Sequence, residues 1–173
     1  LVKQSQQDVP LTIEPSVISA YGQLLANTQL DLALVAETWI LPSESEIGHA
    51  MDVVDVEGIK IARDFMKKNL ATAHEKLLVS TYNRLQNADT YQITPEAMAA
   101  RKLSNVCMDY LSTLENEAHI ERAHTQLKQA TNMTDEIAAL GSIVNVEHEG
   151  KQAALDAFAQ RWKENLLVMN KWF

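Results

Sequence analysis

From Asp55 to Asn87 the chain keeps a helical rhythm for more than thirty residues without a proline. Ile59, Ala62, Met66, Leu70, Ala73 and Leu77 recur at steps of three and four, the spacing of one helix face. A second stripe, Ile61, Phe65, Leu78, Tyr82 and Leu85, widens the apolar surface, so this helix must be covered on two sides. A helix this long greatly exceeds the usual length; it leaves room for a break near Asn69, which no local residue demands. Only other packed helices satisfy such an element here, because no stretch of the chain shows strand alternation. Five glycines and four prolines are also too few for a turn-rich β fold.

The remaining segments carry helix signals with caps between them. Val17, Tyr21, Leu24 and Leu25 share a face of a first helix with Pro15 in its opening turn. Asp31 caps a second helix, Leu32 to Leu41, ended by Pro42. Ser43-Glu44-Ser45-Glu46 reads as a capping box opening a short helix to about Met51. After a loop at Asn87-Ala88-Asp89-Thr90, Thr94-Pro95-Glu96 places a cap, a proline and a first-turn acid. The helix they start buries Leu103, Val106, Cys107, Tyr110, Leu111 and Leu114. Helices over 117–130, 134–146 and 149–165 follow, and another begins near Leu166. The expected fold is all-α, an irregular stack of about eight paired helices, right-handed, superhelical and solenoid-like, forming part of a larger helical domain. No fixed repeat period is present. Residues 1–9, with no apolar periodicity over Lys3–Asp8, form an expected frayed edge; residues 10–173 form the domain.

At 173 residues such a domain buries about two-thirds of its unfolded surface. A formal charge of −8 opposes a nucleic-acid surface, which needs clustered Lys and Arg. The pair Lys67-Lys68 reads as a solvated helix face. No apolar run approaches the roughly 18 residues of a membrane span. The single cysteine, Cys107, excludes an internal disulfide framework and fits a reducing, cytoplasmic setting.

Chemistry is sparse. His119 and His124 are five apart and so turn about 140° away from each other on a helix, which denies them a shared zinc. His148-Glu149-Gly150-Lys151-Gln152 approaches H-E-x-x-H, but Gln152 stands where the second histidine is needed. His49 and His74 lack a partner at ligand spacing and read as surface or interhelix polar groups. Cys107 lies on an apolar stripe with no base beside it in sequence, the setting of a structural thiol. Glu115, Glu117 and Glu121 read as a solvated face. Met66, Met98, Met108, Met133 and Met169 read as core filler. There is no G-x-S-x-G, phosphate-cradling glycine loop or C-x-x-C. No catalytic residue, metal ligand, cofactor or substrate-binding residue is assigned within the chain.

Several segments together are familiar. Asn132-Met133-Thr134-Asp135 with Ile137, Ala138, Ala139 and Leu140 resembles the N-M-T-D-x-x-A-A-L stretch in the C-terminal helical domain of bacterial-type aminopeptidase N, the alanyl aminopeptidases. Leu167 to Phe173 resembles that family's L-V-M-x-K-W-F. Leu41-Pro42-Ser43-Glu44 resembles L-P-S-x, and Asn105-Val106-Cys107 with Leu111 resembles N-x-C-x-x-x-L. The pieces fit in order from about Val9 to Phe173, with Leu166 and Asn170 replacing the family's Gly and Asp. The resemblance implies a parent zinc metallopeptidase that removes N-terminal residues from peptides. Its H-E-x-x-H zinc site and G-A-M-E-N motif lie in a separate catalytic domain; neither motif occurs here. This chain then corresponds to the first half of a helical domain that covers the catalytic domain, encloses its chamber and restricts access. The implied partners are that catalytic domain and its peptide substrates.

Two other readings stay open: a free-standing helical-repeat adaptor for a protein or peptide, and an independent hydrolase assembled from distant acids and histidines. The apolar run Leu166 to Phe173 favours a piece of a longer protein, because an end with two aromatics wants a neighbour. It also predicts self-association through that end.

Overall fold

The computed structural model describes residues 1–86 and 91–172, with side chains to residue 170 apart from those of 87–90. The expected loop at 87–90 and the expected exposure or burial of Trp172 and Phe173 lie outside the described residues. Ten helices and no strand occur among them: α1 Val2–Gln6, α2 Pro15–Ala26, α3 Leu32–Trp39, α4 Glu44–His49, α5 Val56–Leu85, α6 Pro95–Ser112, α7 Glu117–Gln129, α8 Met133–Val144, α9 Lys151–Trp162 and α10 Leu166–Trp172.

Local chemistry fixes most of the starts. Asp31 accepts from the Leu34 amide, Asp55 from Gly58, Thr94 from Ala97, Asn116 from Ala118 and Asn132 from Asp135. These caps satisfy donors that a helix N-terminus otherwise leaves open. The Ser43 capping box is complete: Ser43 accepts from the Glu46 amide at 3.2 Å, and Glu46 accepts from the Ser43 amide at 2.7 Å. Its ties to Ser43 hold the Glu46 carboxyl below the usual range. The start of α9 has no side-chain cap of its own kind, since Gly150 holds the cap position.

The hub is α6. It packs against α3, α5, α7 and α8 and buries Leu103, Cys107, Met108, Tyr110 and Leu111. Beyond it, α2 lies on α5 and α3, α8 pairs with α7, α9 packs on α8, and α10 on α9. One hydrophobic core runs through this stack from Leu25 and Trp39 to Phe158 and Val168.

Four expectations need correction. Val2–Gln6, which has no apolar pattern, forms α1; it buries nothing, lies on α5, and is tied by Gln4 Nε2 donating to Thr12 Oγ1 at 3.0 Å. On α2 the inward face is Ile18, Tyr21 and Leu25, whereas Val17 is exposed. In α5, Ile61 is exposed and Ala71 is buried, so the stripes rotate along its length. The break in α5 falls at His74 (φ −121°, ψ 19°), not at Asn69. Its cause is tertiary: the His74 ring bonds through Nε2 to the Ile18 carbonyl of α2 at 2.8 Å. Gly22 makes room for it, since a Cβ there would stand 2.9 Å from Nδ1.

Candidate functional site

Two features qualify as sites: an open groove between α6 and α8, and the polar network beneath it. Met98, Lys102, Asn105, Val106 and Asp109 line one wall at helical spacing. Ile137, Ala138, Gly141, Ser142 and Asn145 line the other, with Ala33 of α3 at the edge. Small residues keep the walls apart; a Cβ on Gly141 would meet nothing within 4 Å. The space is about 910 Å³ and its lining is mostly apolar. Leu34, Tyr91, Ile93 and Met98 are exposed, and the last three line its mouth. Met98, read from sequence as core filler, is therefore a groove residue. Arg101 stands over the Tyr91 ring at 4.6 Å, and Lys102 pairs with Glu37.

Under the groove, Gln126 joins four helices. Its Oε1 accepts from the Tyr82 hydroxyl at 2.8 Å, and its Nε2 donates to Asn105 Oδ1 at 2.8 Å and to the Asp135 carbonyl at 3.1 Å. Asn105 Nδ2 donates to Asp135 Oδ1 at 2.9 Å, and Asn132 Nδ2 donates to Asp135 Oδ2 at 2.7 Å. Gln86 Nε2 donates to Ser104 Oγ at 2.9 Å. Burial pushes the Tyr82 hydroxyl up to about 12, with Arg122 opposing and Asp135 adding slightly. The hydroxyl thus stays a donor across the physiological range. Asn105, Asn132 and Asp135, three residues that carried the resemblance, are members of this network. Their chemistry is to fix the register of α6, α7 and α8.

The histidines scatter. His119 is buried at 4% exposure; its Nε2 meets Glu75 Oε1 at 2.9 Å and its Nδ1 meets Arg122 Nη1 at 2.7 Å. An arginine donates only, so Nδ1 accepts and Nε2–H is the donor to Glu75. His124 lies instead against His148, ring centroids 5.3 Å apart. Gln152 donates to Asp156 at the surface, 2.8 Å away, and the exposed His49 has Ser45 Oγ 3.5 Å from Nδ1. His74 takes the interhelix role already described. Cys107 is fully buried, and desolvation pushes its thiol up to about 12, so no thiolate is available near neutrality. Lys67 is more than a solvated face: it pairs with Asp109 at 2.7 Å and stands 5.7 Å from the Tyr110 ring centre. Glu115, Glu117 and Glu121 are exposed.

Among the described residues no three His, Cys, Asp or Glu side chains gather as a metal centre. The zinc that the resemblance implies belongs, on that resemblance, to a separate catalytic domain. What the walls offer is a shaped, largely apolar surface on a rigid frame.

Comparison with known proteins decides the family. Residues 1–173 match the model of DUF3458_C, a domain of unknown function described as ARM repeats. The chain belongs to the DUF3458_C family. Over 172 residues it is 32% identical to aminopeptidase N of Escherichia coli (strain K12), covering 99% of this chain and 20% of that protein. Aminopeptidase N of Haemophilus influenzae is 30% identical over 99% of the chain and 19% of its own length. The fold is also that of a segment of Legionella pneumophila aminopeptidase A, solved with aspartic acid, at a TM-score of 0.84 and 23% identity. That match covers 99% of this DUF3458_C chain and 21% of the other. The chain thus spans about a fifth of the length of the curated relatives it matches. The sequence resemblance to aminopeptidase N and the all-helical stack both stand.

Proposed function

We propose that this chain is the non-catalytic first half of the helical C-terminal domain of a zinc-dependent aminopeptidase, and that it walls the chamber in which peptides lose their N-terminal residues. The observation that carries this reading is the span of the likeness. It runs along 99% of the chain yet takes up only a fifth of each aminopeptidase N, while the chain has neither H-E-x-x-H nor G-A-M-E-N. A stack of packed helices suits a steric role: it excludes folded substrates by shape and needs no reactive group. Residues 10–173 form the working domain in this reading, with α1 at its edge. The partners are the parent's catalytic domain and its peptide substrates, and the setting is cytoplasmic.

The test has two arms. The chain purified without a metal-affinity tag is expected to carry no stoichiometric zinc and to turn over no alanyl chromogenic substrate. Stoichiometric zinc with turnover that survives removal of contaminating peptidases overturns the non-catalytic role. In the longer parent, narrowing the α6–α8 groove by Gly141→Leu should alter peptide-length preference if this wall faces the chamber. A length profile unchanged by that variant and by equally bulky changes on the opposite face of the stack removes the wall reading in favour of an adaptor.

A further inference from the structure

We propose that the groove between α6 and α8 is a binding site for an extended peptide segment with apolar side chains, its backbone passing over Gly141 and an acidic side chain facing Arg101. It rests on the chamber-wall reading only in taking peptides as the class of ligand. The first support is a glycine that the chain itself does not need. Gly141 sits inside α8, where glycine is less favourable than alanine. Its φ is not positive, and a Cβ there would meet nothing within 4 Å. Among the described residues neither a turn nor a neighbour calls for it. Glycine at such a place suits the close approach of a ligand to the backbone. Beside it on the same wall, Ser142 is buried at 4% exposure, yet its Oγ has no hydrogen-bond partner among the described residues. Other helix hydroxyls are satisfied at home: those of Thr38, Thr72, Ser80 and Thr113 donate to carbonyls three or four residues back. A buried hydroxyl left alone is costly. A peptide N–H or C=O laid along α8 supplies what Ser142 lacks.

Dimensions choose between a strand-like and a helical occupant. From Pro95 to Asp109 the α6 wall is about 21 Å long at 1.5 Å per residue. Spread over that length, about 910 Å³ leaves a cross-section of about 43 Å². An extended chain takes about 48 Å², from strand and sheet spacings of ~4.8 and ~10 Å. A helix with its side chains is about 10–12 Å across and takes roughly 80 Å² or more. The groove therefore fits about six extended residues, with alternate side chains turned down toward Val106, Ile137 and Ala138. Charge selects the acidic side chain. Arg101 stands at the mouth over the Tyr91 ring and donates through Nη1 to the Gln92 carbonyl at 2.8 Å. No acid pairs with it among the described residues, whereas Lys102 is held by Glu37 and Asp109 by Lys67. Arg101 is thus the groove charge left to meet a carboxylate.

Titration of the whole chain with hexapeptides blocked at both ends, followed by amide NMR, tests this. One probe has glutamate first, leucine third and fifth, and alanine elsewhere; a second has the reverse order. Saturable shifts should map to Met98, Lys102, Ala138 and Gly141, with the bound peptide extended. Replacing either leucine by alanine should weaken binding about tenfold. The probe whose direction brings its glutamate to Arg101 should bind about fivefold more tightly than its glutamine version, and Arg101→Gln should erase that gain. Gly141→Leu should abolish binding while the amide shifts of α5 stay in place. Absence of saturable shifts, binding indifferent to Gly141→Leu, no gain from glutamate in either probe, or a peptide bound as a helix overturns the site. So does light scattering that shows a second copy of the chain seated on these residues and not displaced by the probes. If Gly141→Leu does not fold, the glutamate gain and its loss in Arg101→Gln decide alone. The chamber wall is decided separately by the parent's peptide-length preference, so either proposal can fail without the other.

Discussion

Around Trp39, rings from four helices meet edge to face. Tyr21 of α2 lies 5.3 Å from it, Tyr110 of α6 4.9 Å and His74 of α5 6.0 Å, at interplanar angles between 73° and 81°. Around Gln126 the same number of helices meet through hydrogen bonds instead, with Tyr82, Asn105 and Asp135 as partners. The first junction gains mainly from apolar area, and the Tyr110 hydroxyl donates to the Trp39 carbonyl at 2.6 Å. The second is directional and fixes how α6, α7 and α8 line up. The groove lies where the directional junction sets the spacing of its walls, so stability and site geometry reside in different residues.

The largest effect should come from the ring junction. Trp39 has 0% exposure, and Trp39→Ala should cost about 3–5 kcal/mol through lost burial and the cavity left behind. Urea unfolding monitored by circular dichroism measures it. A cost under about 1 kcal/mol would mean that the rings touch without carrying the core. Trp39→Phe, which retains most of the apolar area, should lose much less.

Gln126→Leu should cost about 1–3 kcal/mol, since it leaves buried partners unsatisfied while adding apolar area. The decisive contrast is with Trp39→Ala: the Gln126 variant should disturb amide shifts along α6, α7 and α8 more than its stability loss suggests. The network also has a pH signature. The folded Tyr82 hydroxyl lies near 12 and its ordinary value is 10.0. A raised value means that this contribution is intact below about pH 10 and fades as pH rises toward 12. Tyrosinate absorbance should show Tyr82 and Tyr110 titrating above the ordinary value of 10.0, because burial pushes Tyr110 up as well.

Much of the frame was readable from the chain because caps are local. Asp31, the Ser43–Glu46 box, Asp55, and Thr94 with Pro95 are sequence-adjacent devices, and each starts the helix it was expected to start. The departures share one cause, contact between distant residues. The α5 break is at His74 because Ile18 and Gly22 receive its ring, and neither is near it in sequence. The helix expected from 149 starts instead at Lys151, where His148 and Gly150 shape its first turn. The groove was illegible for the same reason: the alternation of Ala138, Gly141 and Ser142 looks like ordinary helix filler until α6 stands opposite. His124 found a histidine partner as well, but from the α8–α9 turn and not from its own helix.

Cys107→Ala probes the hub that both junctions share. The thiol is fully buried between Leu103 and Leu111, and its removal leaves only a small void, so the expected cost is about 1 kcal/mol. Thiol reagents should label the native chain slowly, at a rate set by opening of α6. Fast labelling at neutral pH would place Cys107 at a surface and would break the account of α6 as the buried element joining the two halves.

The smallest effect should lie outside both junctions, at the exposed capping box of α4. Ser43→Ala removes the side chain that accepts from the Glu46 amide, and the expected cost is about 0.5–1 kcal/mol. Its diagnostic is the acid limb. Hydrogen bonds from Ser43 depress the Glu46 carboxyl, so the folded chain holds its proton less tightly than the unfolded chain does. That contribution is present above the ordinary value of 4.5 and is lost as pH falls through the depressed folded value. Ser43→Ala should therefore differ from the wild type most at neutral pH, and in acid the difference should shrink to the part due to the lost cap on the Glu46 amide. It should also add independently to Trp39→Ala and to Gln126→Leu, because sites that share no partner do not couple. Coupling with Trp39→Ala alone would tie α4 to the ring junction through the Ile40–Pro42 link; coupling with Gln126→Leu would mean that the two junctions are not separate units.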